Sequence, residues 1–161
     1  MPVRAGVALH SMLTGAQDAS WWKDPLAATR ILLVEDEDLI RFITAEVLRA
    51  DGFDVTEAWD IAEADRLLDG LEGFDALLTD MQTPGLGDGI DVAVHARRRN
   101  PDISVLILSG YAPNLRGRLD ALAPAAAYIG KPYLMDDVMQ VLHGLLDARA
   151  TLPAGPGPSA A

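Results

Sequence analysis

Five side chains in this sequence are of the types that phosphoryl chemistry uses, and each stands where an apolar run ends. Glu35 and Asp36 follow Ile31-Leu32-Leu33-Val34, Asp80 follows Ala76-Leu77-Leu78-Thr79, Ser109 closes the run from Ile103, and Lys131 follows Ala126-Ala127-Tyr128-Ile129-Gly130. A carboxylate such as Asp80 can attack phosphorus and form an acyl phosphate. Three carboxylates packed together repel and raise one another's pKa unless a cation holds them. Hard oxygen ligands with open positions suit Mg²⁺, which keeps waters and accepts phosphate oxygens. Lys131 and the Ser109 hydroxyl would meet the remaining phosphoryl oxygens with a fixed cation and a donor. Singly, each residue is weak evidence, because a strand-end acid is often a helix cap, and Glu37 and Asp38 can cap here instead. All of them at one edge of one sheet is much harder to produce by chance.

The elements that would create such an edge follow from periodicity. The run 31–34 reads as a buried strand, and Leu39, Ile40, Phe42, Ile43, Val47 and Leu48 are expected on one face of a helix that Gly52 stops. Residues 53–58 alternate as a strand, and Asp60 can cap a helix reaching about Leu71. A strand over 74–79 leads into the Gly-rich loop GLGDG (85–89) and a helix near 89–99 that ends before Pro101. The basic run Arg97-Arg98-Arg99 then falls at a helix C-terminus, where cations suit the dipole. A strand over 103–108, a short helix near 114–122 between Pro113 and Pro124, and a strand over 126–129 complete the alternation. The last helix, 134–148, places Leu134, Val138, Val141, Leu142, Leu145 and Leu146 on one stripe, with Met135 and Met139 off it as packing filler. Five βα units with apolar strands predict an α/β fold, a five-stranded doubly wound parallel sheet with helices on both faces. Ligands of such sheets bind at the carboxyl ends of the strands, the edge that carries the five polar groups.

Composition narrows the function. The chain has 161 residues, enough for one domain with a sizeable core. The absence of cysteine excludes disulfides, thiol catalysis and thiolate zinc sites. Net charge is −11. Charges within 1–29 cancel, Arg4 and Lys23 against Asp18 and Asp24, and 151–161 has none, so the acidic excess lies in 30–150. An acidic domain repels phosphate backbones, which argues against direct nucleic-acid binding. No apolar run approaches a membrane span or a signal-peptide core, so the expected location is the cytoplasm. Residues 1–29 read as a flexible N-terminal extension in which Trp21-Trp22 is the one notable feature, and 150–161 as a disordered Pro/Gly/Ala tail. His95 and His143 lie on expected helices and His10 in the extension. Donor histidines of phosphotransfer proteins sit on helical bundles, which this pattern is not.

At residues 30–149 the chain resembles the receiver domain of two-component response regulators. The motifs that carry the resemblance are ILLVEDED, LLTDMQTPG, VLILSGY and YIGKPY, in the family's order and spacing. The resemblance implies a flavodoxin-like strand order of 2-1-3-4-5 and a phosphoacceptor role in a phosphorelay. It makes Asp80 the phosphorylated aspartate, and Glu35, Asp36, Asp80 and the backbone carbonyl of Gln82 the Mg²⁺ ligands. Ser109 and Lys131 complete the catalytic set, and Tyr128, with Ser109, takes the place of the family's switch pair. It also implies a cis bond at Lys131-Pro132. The donor would be a histidine kinase or a His-containing phosphotransfer protein, docking near the first helix, whose start includes Asp38 and Arg41. Too few residues follow 148 for an output domain, so a single-domain regulator is expected, signalling through protein contact to an unknown downstream target and promoting its own phosphorylation and dephosphorylation.

Two positions depart from the family's pattern. Thr83 stands where the family commonly has Met, and the loop after Asp80 is slightly elongated. These bear on loop conformation and phosphoryl lifetime, as do Gln82 and Tyr111, two residues beyond Asp80 and Ser109. Among rivals, Asp36-Glu37-Asp38 is a D-x-D as in haloacid-dehalogenase-like phosphatases, but Ile40 stands where that family has Thr or Val, and Asp80 and Lys131 go unexplained. A degenerate receiver acting only as a scaffold would not need all five site residues. GLGDG and Gly130-Lys131-Pro132 fall short of nucleotide-binding motifs.

Overall fold

Alternating apolar side chains along short strands build two cores at once. The computed structural model describes residues 28–110 and 115–151, so most of the N-terminal extension with Trp21, Trp22 and His10, together with Tyr111, Pro113 and the residues from 152 onward, lie outside the described residues. The elements run β1 (Arg30–Val34), α1 (Asp38–Ala50), β2 (Asp54–Ala58), α2 (Ile61–Leu68), β3 (Ala76–Asp80), α3 (Gly89–Arg99), β4 (Ser104–Ser109), α4 (Leu115–Asp120), β5 (Ala126–Gly130) and α5 (Met135–Thr151). The five strands form one parallel sheet, as the apolar runs predict, in the order β2-β1-β3-β4-β5 that the family resemblance implies. Successive strand side chains point to opposite faces. Leu32, Val34, Leu77, Val105 and Ile107 therefore enter one cluster with residues of α2, α3 and α4. Ile31, Leu33, Leu78, Leu106 and Leu108 enter the other with residues of α1 and α5. Each fully buried Leu or Ile contributes roughly 1.5–3 kcal/mol, so β1, β3 and β4 anchor the fold and hold their carboxyl ends in register.

The first helix differs from the expected stripe. Leu39, Phe42 and Ile43 are 64%, 59% and 47% exposed, whereas Thr44, Ala45 and Leu48 are buried. Each residue advances about 100° around a helix, so Leu39 and Leu48 stand on opposite sides and cannot share a face. Arg41 sets the rotation. Its guanidinium reaches the Glu35 carbonyl at 2.9 Å, Asp38 at 2.6 Å and Glu57 at 3.4 Å. Arg41 is thus largely covered and not part of the exposed start of α1, while Asp38 is exposed. Glu37 occupies the N-cap position without a side-chain capping bond.

Two other boundaries shift. Helix α2, capped by Asp60 through the Glu63 amide, ends at Leu68 instead of near Leu71. The Gly70 amide closes on the Leu67 carbonyl there, and Leu71 is fully exposed. Leu134 precedes α5 and so escapes its periodicity, standing 70% exposed. Met135 and Met139, expected off the stripe, pack against the second cluster, where their unbranched chains fill space beside Val138 and Leu142.

Candidate functional site

Parallel strands that start together also end together, and here their ends converge on Asp80. It closes β3 at 7% exposure, between strands that end at Val34 and Ser109. Lys131 Nζ donates to Asp80 Oδ2 at 2.7 Å, and the Gln82 backbone amide donates to Oδ1 at 3.0 Å. The Lys131 amide is held by the Ser109 carbonyl at 2.6 Å, which ties the cation to the end of β4. The Lys131–Pro132 bond is cis. Glu35, Asp36 and Asp80 each offer a carboxylate oxygen, and these oxygens lie within 4.8 Å of one another. Glu35 is 2% exposed, whereas Asp36 is open to solvent.

The electrostatics of this cluster ask for a further cation. Burial pushes the Glu35 carboxyl above its ordinary value, the Glu37 amide bond partly opposes this, and the charge of Asp80 adds to the rise. For Lys131, burial works against the ammonium, but the hydrogen bond and charge of Asp80 outweigh it and raise its pKa. Three ionised carboxylates against one ammonium leave two negative charges, the complement of one divalent ion. Among the described residues, two buried side-chain oxygens also lack any partner, Glu35 Oε2 and Ser109 Oγ, and such groups are costly unless a ligand completes them. An oxygen-only donor set with one exposed member fits Mg²⁺. Asp38, the second acid of the D-x-D, points outward from α1 to Arg41 and does not join the cluster.

Sequence reasoning missed the residues that aim Asp80. The Thr79 and Thr83 hydroxyls both donate to its backbone carbonyl, at 3.0 and 3.1 Å. Thr83, where the family commonly has Met, is buried and serves as a tether. The Gly89 amide donates to the Met81 carbonyl at 3.0 Å. Asp88 and Asp91 form a reciprocal capping box at the start of α3, a pattern legible as D-x-x-D before an apolar stretch. Gln82 itself is exposed, and Tyr128 is 45% exposed on β5, paired with Ile107. His95 bridges Asp65 and Asp69, and His143 pairs with Asp51, so both serve contacts elsewhere. A cavity of about 190 Å³ lined by Leu68, Phe74, Arg99 and Ile103 lies near the amino ends of β3 and β4, away from this chemistry.

A parallel sheet whose carboxyl edge gathers three acids, a lysine and a hydroxyl defines a phosphoacceptor signalling module. The chain belongs to the response regulator receiver domain family, whose model matches residues 31–143, and it functions in two-component signalling. It is 33% identical over 121 residues to the response regulator receiver protein CpdR of Brucella abortus, covering 74% of this chain and 98% of that one. It is 28% identical over 125 residues to the sensor kinase CckA of the same organism, covering 77% of this chain but only 13% of CckA. The crystal structure of a response regulator receiver protein from Sinorhizobium medicae superposes with a TM-score of 0.70 at 28% identity, covering 77% and 98% of the two chains. No described helix is long and apolar enough to cross a membrane.

Proposed function

We propose that residues 30–149 are a receiver that accepts a phosphoryl group on Asp80 from a histidine kinase or a His-containing phosphotransfer protein. The observation that carries this reading is the 2.7 Å contact of Lys131 with Asp80 inside a cluster of three acids. A carboxylate oxygen of Asp80 attacks phosphorus, an O–P bond forms, and the N–P bond of the donor phosphohistidine breaks. The imidazole keeps the electron pair and takes up a proton. In a separate, hydrolytic step, water attacks phosphorus, the bond from phosphorus to the Asp80 oxygen breaks, and the Asp80 carboxylate returns with inorganic phosphate and a proton. Through these two steps the domain promotes its own phosphorylation and dephosphorylation.

Glu35, Asp36, Asp80 and the Gln82 carbonyl would hold Mg²⁺. Bound there, it supplies positive charge that offsets repulsion between the acids and an incoming phosphoryl group. Lys131 neutralises charge on a phosphoryl oxygen in line with its present hold on Asp80, and the unpartnered Ser109 hydroxyl turns to another. Tyr128, half-exposed beside the same strand, moves inward as Ser109 moves, repacking the face from α4 to α5. The exposed Leu39, Phe42 and Ile43, i, i+3 and i+4 on α1, form the docking face for the donor. Output passes by protein contact, without direct nucleic-acid binding, in the cytoplasm.

The test is incubation of purified protein with Mg²⁺ and acetyl phosphate or phosphoramidate, followed by intact mass. A gain of one phosphoryl group is expected in the wild type and none in Asp80→Asn. No adduct with any donor would sink the proposal.

A further inference from the structure

A continuous set of contacts runs from the Asp80 backbone to α4. Gly89, the first residue of α3, has no room for a β-carbon, which would overlap the Asp80 carbonyl oxygen. The Gly89 amide also holds the Met81 carbonyl, so the first turn of α3 rests on the Asp80–Met81 peptide. Preceding it is Asp88, whose Oδ1 accepts from the amides of Ile90 at 2.9 Å and Asp91 at 3.2 Å, while Asp91 Oδ2 accepts from the Asp88 amide at 2.8 Å. The same carboxylate is gripped by Arg118 of α4 through both terminal guanidinium nitrogens, at 2.6 and 3.0 Å. Such a fork is the geometry in which a surface ion pair has directional strength. On its other side α4 is seated by Leu115 and Leu119, buried in the first cluster.

From this we propose that Asp88 and Arg118 are positioning residues, a latch between α4 and the backbone that aims the acceptor. The proposal rests on the reading of Asp80 as phosphoacceptor. With the latch made, the Ser109 hydroxyl is unpartnered and Asp80 is held by Lys131, the arrangement before phosphoryl arrival. Any shift of the Asp80–Met81 peptide as the acceptor takes up its group must carry the first turn of α3, and the Arg118 fork on Asp88 resists it. Releasing the fork lowers that resistance, so phosphoryl uptake becomes faster.

Arg118→Gln and Asp88→Asn both remove the ion pair, and Asn keeps the capping oxygen. In the full-length protein with Mg²⁺, each variant should raise the rate of Asp80 phosphorylation at saturating acetyl phosphate roughly two- to five-fold, the scale of one partly exposed pair. The double variant should gain no more than either single one, because both remove one interaction. Arg118→Lys, which keeps charge but loses the fork, should fall between. Unchanged or slower uptake in cooperatively folded variants, or additive gains, would overturn the latch, since a merely stabilising pair would lower the melting temperature alone. A second readout stands apart from phosphorylation. The amide NMR signals of Met81 and Gly89 should shift in Arg118→Gln while that of Gly52 stays, and unmoved Met81 and Gly89 signals would reject the coupling even if Asp80 proved not to be the acceptor.

Discussion

Glycine-to-alanine replacement at Gly89 and at Gly144 should change stability in opposite directions. Both glycines open into helical backbone, and neither has a left-handed φ. In a helix, Ala is favoured over Gly by about 0.5–1 kcal/mol. Gly144, exposed in α5, has nothing within 4 Å of an added methyl, so Gly144→Ala should keep that gain. At Gly89 the methyl overlaps the Asp80 carbonyl oxygen and comes within 3.1 Å of the Asp80 carbonyl carbon and the Met81 Cα. All three are backbone atoms beside a fully buried strand and have little freedom to retreat. Overpacking of this kind costs about 1–3 kcal/mol, which against a gain of about 0.5–1 kcal/mol leaves a net loss of up to about 2.5 kcal/mol, centred on about 1. Urea unfolding of the two variants and the wild type, followed by circular dichroism, measures both signs, with unchanged m-values marking an effect on stability alone. A Gly89→Ala protein as stable as the wild type would refute the close approach of α3 to the acceptor strand.

Two further outcomes follow from the electrostatics. Mg²⁺ should raise the melting temperature of the unphosphorylated protein, by about 1.4 kcal/mol at ten times its dissociation constant, and Glu35→Gln or Asp36→Asn should blunt the response. An identical shift in those variants would place the ion elsewhere. For His95, burial lowers the imidazole pKa, but the hydrogen bonds and charges of Asp65 and Asp69 outweigh it and lift it above the ordinary 6.5. A raised folded-state pKa adds stability that is complete below the unfolded value and disappears as pH rises through the folded one. The stability gap between wild type and His95→Gln should therefore be full below the ordinary value of 6.5 and shrink as pH rises through the raised folded-state pKa, and a gap constant with pH would show that the imidazole is not charged there.

The strands and the residues at their carboxyl ends were legible in the sequence, because continuous apolar runs and strand-end punctuation are local signals, whereas the strand order came only with the family resemblance. Asp80, Glu35, Asp36, Ser109 and Lys131 could be named from that pattern, since a parallel sheet brings all its carboxyl ends to one edge whatever the details of packing. The capping box at Asp88 was also written locally, as an acid three residues before another. What tertiary structure alone decided is how helices turn and what reaches across between them. The apolar run Leu39-Phe42-Ile43 faces outward because Arg41 is drawn inward to the Glu35 carbonyl and Glu57, partners that helical periodicity does not encode. The fork from Arg118 to Asp88 and the bridge from His95 to Asp65 each join residues 30 positions apart on different elements. The need for glycine at 89 arises only when α3 is laid against the Asp80 peptide. Chemistry at a strand end follows from chain direction, while its aim depends on contacts that exist only once the helices are packed.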